Sequence, residues 1–219
     1  MNNDTQLDGG KSPAHRSLPL VKKSRLDLVI LRYLAQRILV TLHALDQPTS
    51  TVQRLHYYAN DRRKRTHRMV IYNAQELLLN KGLWFVGFVS GKRKPTSPST
   101  FEELHRVDQR LVAELAGTSG LLSYSSLELH DSIWCNLVLL NDAEVKMHIA
   151  DNNTHKYAAY ELAPSYYEWI RLHNGIMPTG LAGFAHSPPD CVMQLQRTKY
   201  YLFSGGPRKF SIQEVSYGD

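Results

Sequence analysis

The stretch from Trp134 to Gly175, WCNLVLLNDAEVKMHIADNNTHKYAAYELAPSYYEWIRLHNG, decides how the rest of the chain is read. With Ile133 ahead of it, its opening IWCNLVLLN (133–141) is almost wholly apolar, the pattern of a strand buried on both faces. A helical return in pieces is predicted next. Asn141 or Asp142 can cap AEVKMHIA, Asp151-Asn152-Asn153 breaks it, and Thr154 can cap HKYAAYELA. Pro164 can open a further segment, SYYEWIRLH, which Asn174-Gly175 would stop in a left-handed turn.

Upstream, LWFVGFVSG (83–91) is the other strongly apolar run, and KRKPTSPST (92–100) reads as a loop. Thr100 with Glu103 forms a capping box for FEELHRVDQRLVAELA, whose Phe101, Leu104, Val107, Leu111 and Leu115 share one face. LLSYSSLELH (121–130) has strand composition, Asp131-Ser132 supplies a turn, and CVMQLQRTKYYLF (191–203) alternates enough to be a last strand. The order strand, helix, strand, strand, helix, strand from 83 to 203 is the split βαβ, ferredoxin-like arrangement of an α+β protein. Its first and third strands are central, and those are the two most apolar runs here.

On the hairpin around Asp131-Ser132, the strand WCNLVLLND and the run NDAEVKMHIADNNTHKYA, residues 82–203 resemble the dimeric α+β barrel superfamily. That group includes antibiotic-biosynthesis monooxygenases, chlorite-dismutase-like haem proteins and small polyketide cyclases. The resemblance implies a homodimer that pairs sheets between subunits, and a barrel cavity that takes a small-molecule ligand. It also implies roles for His148 and His155, which match a helix with a His, a break and a second His. Either could be a general base or, if haem binds, its iron ligand, with His155 the metal-ligating candidate.

Alternation along the two hairpin strands separates Tyr124, Ser126, Glu128, Trp134 and Asn136 from Leu121, Leu127, Leu129, Cys135, Leu137 and Leu139. The polar-bearing set is the expected cavity lining, and the apolar set the expected helix-facing surface. Arg197 and Lys199 share a face with Tyr201 and could meet a carboxylate or a haem propionate. Tyr157, Tyr160, Tyr166, Tyr167, Trp169, Tyr200 and Tyr201 form an aromatic belt that fits packing better than ligand clamping. His173 reads as a residue of a last helical turn.

Residues 1–25 read as a polar tail, 26–81 as a mainly helical basic extension and 204–219 as a C-terminal tail. The net charge of +6 is uneven: residues 1–81 hold 14 Lys/Arg against 6 Asp/Glu, and 82–203 hold 10 against 12. Leu26–Leu45 is an apolar-striped helix interrupted by Asp27, Arg32, Arg37 and His43. Each charge costs about 3 kcal/mol at bilayer depth, so the stripe is expected to dock on protein. Peripheral membrane contact through 20–45, helped by Lys22, Lys23 and Arg25, is the other reading. Arg62, Arg63, Lys64, Arg65 and Arg68 follow Tyr57 and Tyr58, but no nucleic-acid module surrounds them. Two cysteines, Cys135 and Cys191, are too few for a disulfide scaffold, and a reduced, cytoplasmic setting is expected. Dinucleotide, P-loop, serine-hydrolase and zincin motifs are absent.

Two functions therefore stand side by side. One is a small-molecule enzyme of oxygenase or haem-dependent type using the barrel cavity, with Tyr124, Glu128, Asn136, His148 and His155 catalytic and His155, Trp134 and Arg197 cofactor-binding. The other is a non-catalytic ligand-binding or interaction protein whose basic N-terminal region docks an acidic partner, nucleic acid or an anionic membrane.

Overall fold

The structure is a computed structural model, and it describes residues 19–44, 55–60, 65–129, 132–186, 192–204 and 209–217. The elements in chain order are α1 (Leu20–His43), β1 (Leu55–Asn60), β2 (Thr66–Ile71), α2 (Ala74–Leu79), β3 (Leu83–Lys92), α3 (Pro98–Glu114), β4 (Leu121–Glu128) and β5 (Ile133–Leu140). There follow α4 (Val145–Asp151), α5 (Asn153–Tyr157), a π-type turn at Ala158–Leu162, α6 (Ala163–Tyr166), β6 (Tyr167–Met177), α7 (Gly183–His186), β7 (Gln194–Phe203) and β8 (Phe210–Ser216). All eight strands join one antiparallel sheet in the order β1-β2-β4-β5-β3-β6-β7-β8.

The middle of that order, β4-β5-β3-β6, is the ferredoxin-like core, with β3 and β5 central as their apolar runs require. The sheet is larger than a βαββαβ unit. The β1–β2 hairpin extends it beyond β4, and β7–β8 extends it beyond β6. Segment 26–81 holds α1 and α2, and its β1 and β2 also carry part of it into the sheet. Part of the C-terminal segment is likewise a strand, β8.

The fourth core strand is β6, not 191–203, and SYYEWIRLH is strand rather than helix. Pro164 opens only the short α6, and at Tyr167 the backbone turns extended. Gly175 sits at a β-bulge between β6 and β7, where a Cβ would fall 2.2 Å from the Gln194 carbonyl oxygen and 2.5 Å from the Phe85 ring. The glycine that reads as a helix stop is required by close approach within the sheet. The break at Asp151–Asn153 is real. Asn152 caps α5 by accepting a 2.9 Å hydrogen bond from the His155 amide. Ser97, not Thr100, caps α3, with Pro98 in its first turn.

Both faces of the sheet are covered. On one, α1 lays Leu31, Leu34, Ala35, Ile38, Leu39 and Leu42 on Phe85, Val89, Leu127, Cys135, Leu137 and Leu139. Five large aliphatic side chains at roughly 2 kcal/mol each make this an upper estimate of about 10 kcal/mol. The approach is close because Gly87 lies beneath Leu31, where a Cβ would be 2.4 Å from Leu31 Cδ1. The residues that face the sheet run through Asp27, Leu31, Leu34, Ile38 and Leu42, while Leu26 and Val29 point outward. On the other face α3 and α4 pack over Val70, Tyr72, Leu121 and Leu140, and Ala163 of α6 packs with Ile170, Phe203 and Phe88.

Candidate functional site

The two faces of the central strands differ in how tightly they are closed. Along β3, and from Cys135 onward along β5, the odd-numbered residues under α1 are buried, whereas Trp84, Val86, Phe88, Trp134, Asn136 and Val138, beneath α3 to α6, keep partial exposure. The register sets these residues in rows across the sheet. One row runs Arg68, Ser126, Asn136, Phe88, and the next places Trp134 between Glu128 and Ser90. The polar set Tyr124, Ser126, Glu128, Trp134 and Asn136 does share one face, as alternation requires. That face lies under the core helices, while the apolar set, Leu121 apart, lies under α1, so the apolar set is helix-facing as expected and the polar set is covered by helices as well.

Side chains from the helix layer complete the cluster. Asp108 of α3 receives a hydrogen bond from Arg68 Nη1 at one carboxylate oxygen and a 3.3 Å bond from the Tyr124 hydroxyl at the other. Burial disfavours the Arg68 charge, but the Asp108 hydrogen bond and charge outweigh it and raise its pKa. The Tyr124 phenol is pushed well up, by burial first and by the Asp108 charge second. Tyr167, whose ring meets Phe88 edge-on at 5.5 Å, is likewise pushed up by burial, then by Tyr166 and Asp108. Both phenols are thus held protonated, as donors.

Among the described residues, the buried polar atoms of this layer with no hydrogen-bond partner include Trp134 Nε1, Asn136 Oδ1 and His155 Nδ1, along with Ser90 Oγ and Arg68 Nε. Each such atom costs on the order of 1–3 kcal/mol unless something occupies it. Burial lowers the pKa of His155, so its imidazole is neutral at pH 7. The other predicted residues lie elsewhere. Glu128 is exposed at the end of β4, and His148 is exposed on α4, lining a shallow depression with Gly120, Asn141 and Val145. Arg197 of β7 pairs at 3.2 Å with Glu214 of β8.

The aromatic belt is divided among several surroundings. Tyr166 is buried, Tyr157 and Tyr160 are exposed, and Trp169 stacks on Arg171 at 4.2 Å on the α1 side. Cys135 is a buried free thiol whose pKa burial pushes up, which suits packing. His130, Asp131, Cys191 and most of the basic run at 62–68 lie outside the described residues.

Comparison with known proteins gave likeness of structure only. Neither the protein-family models nor the curated proteins contain a match to this chain. Among solved structures, protein SO0527 from Shewanella oneidensis is 10% identical with a TM-score of 0.36, covering 44% of this chain and 94% of that one. SnoaB, a cofactor-independent oxygenase from Streptomyces nogalater, is 16% identical with a TM-score of 0.32 over 44% of this chain and 91% of its own. An antibiotic biosynthesis monooxygenase-like structure from Caulobacter crescentus is 16% identical with a TM-score of 0.30 over 66% of this chain and 97% of its own. At these scores the fold assignment rests on strand order and pairing.

A haem is not fitted by the residues present. His155 Nδ1 has the chemistry of an axial ligand, but Arg68 is committed to Asp108 and Arg197 to Glu214. Arg93 donates to the carbonyls of Tyr167 and Phe203 at 3.3 and 3.1 Å. These cations are engaged, so they offer nothing to a pair of propionates.

The second polar cluster lies on the opposite face and was missed as a unit. Arg171 binds Asp27 in a fork, Nε to Oδ2 at 2.5 Å and Nη2 to Oδ1 at 2.9 Å. His173 Nε2 lies 2.9 Å from Asp27 Oδ2, and its Nδ1 lies 2.9 Å from Thr198 Oγ1. His173 is therefore a buried mid-strand residue of β6, not a helix terminus. The Asp–His–Thr order matches a nucleophilic triad in connectivity, but Thr198 and His173 are wholly buried, so the cluster serves to fix α1 on the sheet.

Proposed function

We propose that the chain is a small-molecule enzyme of the cofactor-independent oxygenase type, working in the gap between the central strands and α3–α6. The observation that carries this reading is the set of partnerless buried atoms that includes Trp134 Nε1 and Asn136 Oδ1 on the part-exposed face of β5 and His155 Nδ1 on α5. They supply one donor, one acceptor and one neutral base, and the walls are aromatic: Phe88, Tyr124, Tyr167 and Trp134. A planar phenol or enol suits that mixture, with apolar walls and few placed polar groups. In this proposal His155 takes the substrate proton, and Trp134 Nε1 donates to the oxyanion left behind. Asn136 orients the ring, and the electron-rich carbon bonds dioxygen to give a peroxide that takes the proton back from His155 and then loses water, leaving a quinone and one water per dioxygen consumed. The Arg68–Asp108 pair positions Tyr124.

The test is oxygen uptake with a panel of planar hydroxylated aromatics, together with tryptophan fluorescence on ligand addition. Trp134→Phe and His155→Gln should lower turnover by about 10²-fold or more while the fold is kept. Absence of both a fluorescence response and oxygen uptake across the panel would sink the proposal.

A further inference from the structure

The outward face of α1 carries a feature that sheet packing does not use. Leu26, Val29 and Val40 are 59%, 60% and 59% exposed, and they continue at helical spacing through the half-buried Tyr33. From Leu26 to Val40 this apolar ridge runs about 21 Å at ~1.5 Å per residue. Lys22 and Arg25 flank its N-terminal end and are exposed. The helix holds five Lys/Arg and a single acid, Asp27, which is buried and neutralised by Arg171. The exposed charge of α1 is thus entirely positive.

We propose that this face rests on an anionic membrane surface, with Leu26, Val29 and Val40 entering the headgroup–acyl boundary and Lys22 and Arg25 meeting lipid phosphates. Charge complementarity selects this occupant. A second copy would set the same cations against each other, and nucleic acid would gain nothing from the apolar ridge. The helix lies in the surface rather than crossing it, since none of the helices is long and apolar enough to span a bilayer among the described residues. The buried Asp27–Arg171 fork keeps α1 seated on the sheet while its outer face binds.

The experiment is flotation of the full chain with phosphatidylcholine vesicles, with and without roughly one-third phosphatidylserine. Binding to the anionic vesicles alone is expected, and release when salt is raised to about 0.5 M. Val29→Asp, and separately Lys22→Glu with Arg25→Glu, should each weaken binding about tenfold with thermal unfolding unchanged, because these side chains are exposed. No flotation, or flotation that Val29→Asp leaves intact, overturns the proposal. So does a dimer in sedimentation equilibrium that Val29→Asp dissociates, or binding of an acidic amphipathic peptide without vesicle binding.

Discussion

Replacing Asp27 by Asn keeps the side-chain shape and removes the charge that holds α1 to β6. Asp27 and Arg171 side chains are 4% and 12% exposed, so the guanidinium would be left inside without a counterion. Two unit charges about 4 Å apart at an effective dielectric near 20 interact by about 4 kcal/mol. Breaking one partner of a buried pair costs about 3–5 kcal/mol, so the two routes agree. In a chain of this length each kcal/mol moves the melting temperature by roughly 2–4 °C, which predicts a fall of roughly 10 °C. Thermal and denaturant unfolding followed by circular dichroism measures it.

The acid limb supplies an independent check on the same carboxylate. Burial raises the Asp27 pKa, but hydrogen bonds from Arg171 and His173 and their charges bring it below the ordinary value. A carboxyl depressed in the folded state contributes stability that is present above its unfolded pKa of 3.8 and lost as pH falls through the folded value. Asp27→Asn should therefore flatten the pH dependence of stability below that point. A melting temperature within about 2 °C of the wild type would refute the reasoning, since a buried pair cannot lose a charge so cheaply.

Two further outcomes follow from geometry already given. Gly87→Val should destabilise by about 1–3 kcal/mol, because its Cβ meets Leu31 at 2.4 Å in a closed core, and urea midpoints measure this. His155, its pKa lowered by burial, keeps stability that is full above about pH 6.5 and lost as pH falls through its folded value. His155→Gln should remove that slope in melting temperature below about pH 6.5, and an unchanged slope would assign it to another group.

The core was legible where burial is two-sided. The runs 83–91 and 133–141 became the central strands because continuous apolar sequence has no other stable place in a sheet. Tyr167–Met177 was not legible. Glu168, Arg171 and Asn174 give it a mixed polar pattern that imitates a helix face, and its pairing is set by β3 and β7, far away in sequence. The alternation along β4 and β5 sorted residues by face correctly but could not say which face each helix covers, because α1 comes from outside the core unit. Asp27 and Asp108 show the signal that was available. Each is an acid within the apolar stripe of an amphipathic helix, and each meets a buried or half-buried arginine from a strand, Arg171 and Arg68. An acid in that position asks for a cation across the interface, although spacing alone cannot name it.

The seating of α1 also carries a consequence for how the polypeptide is made. Asp27 is 144 residues from Arg171 and 146 from His173 in sequence. The helix emerges from the ribosome long before the strands that receive it, at about 5–20 residues per second. For several seconds Leu31, Leu34, Ile38 and Leu42 have no sheet to cover. Loop closure of this length slows folding, and an amphipathic helix waiting that long is a natural client for chaperones. Truncation before β6 would remove Arg171 and His173 and leave Asp27 without its partners.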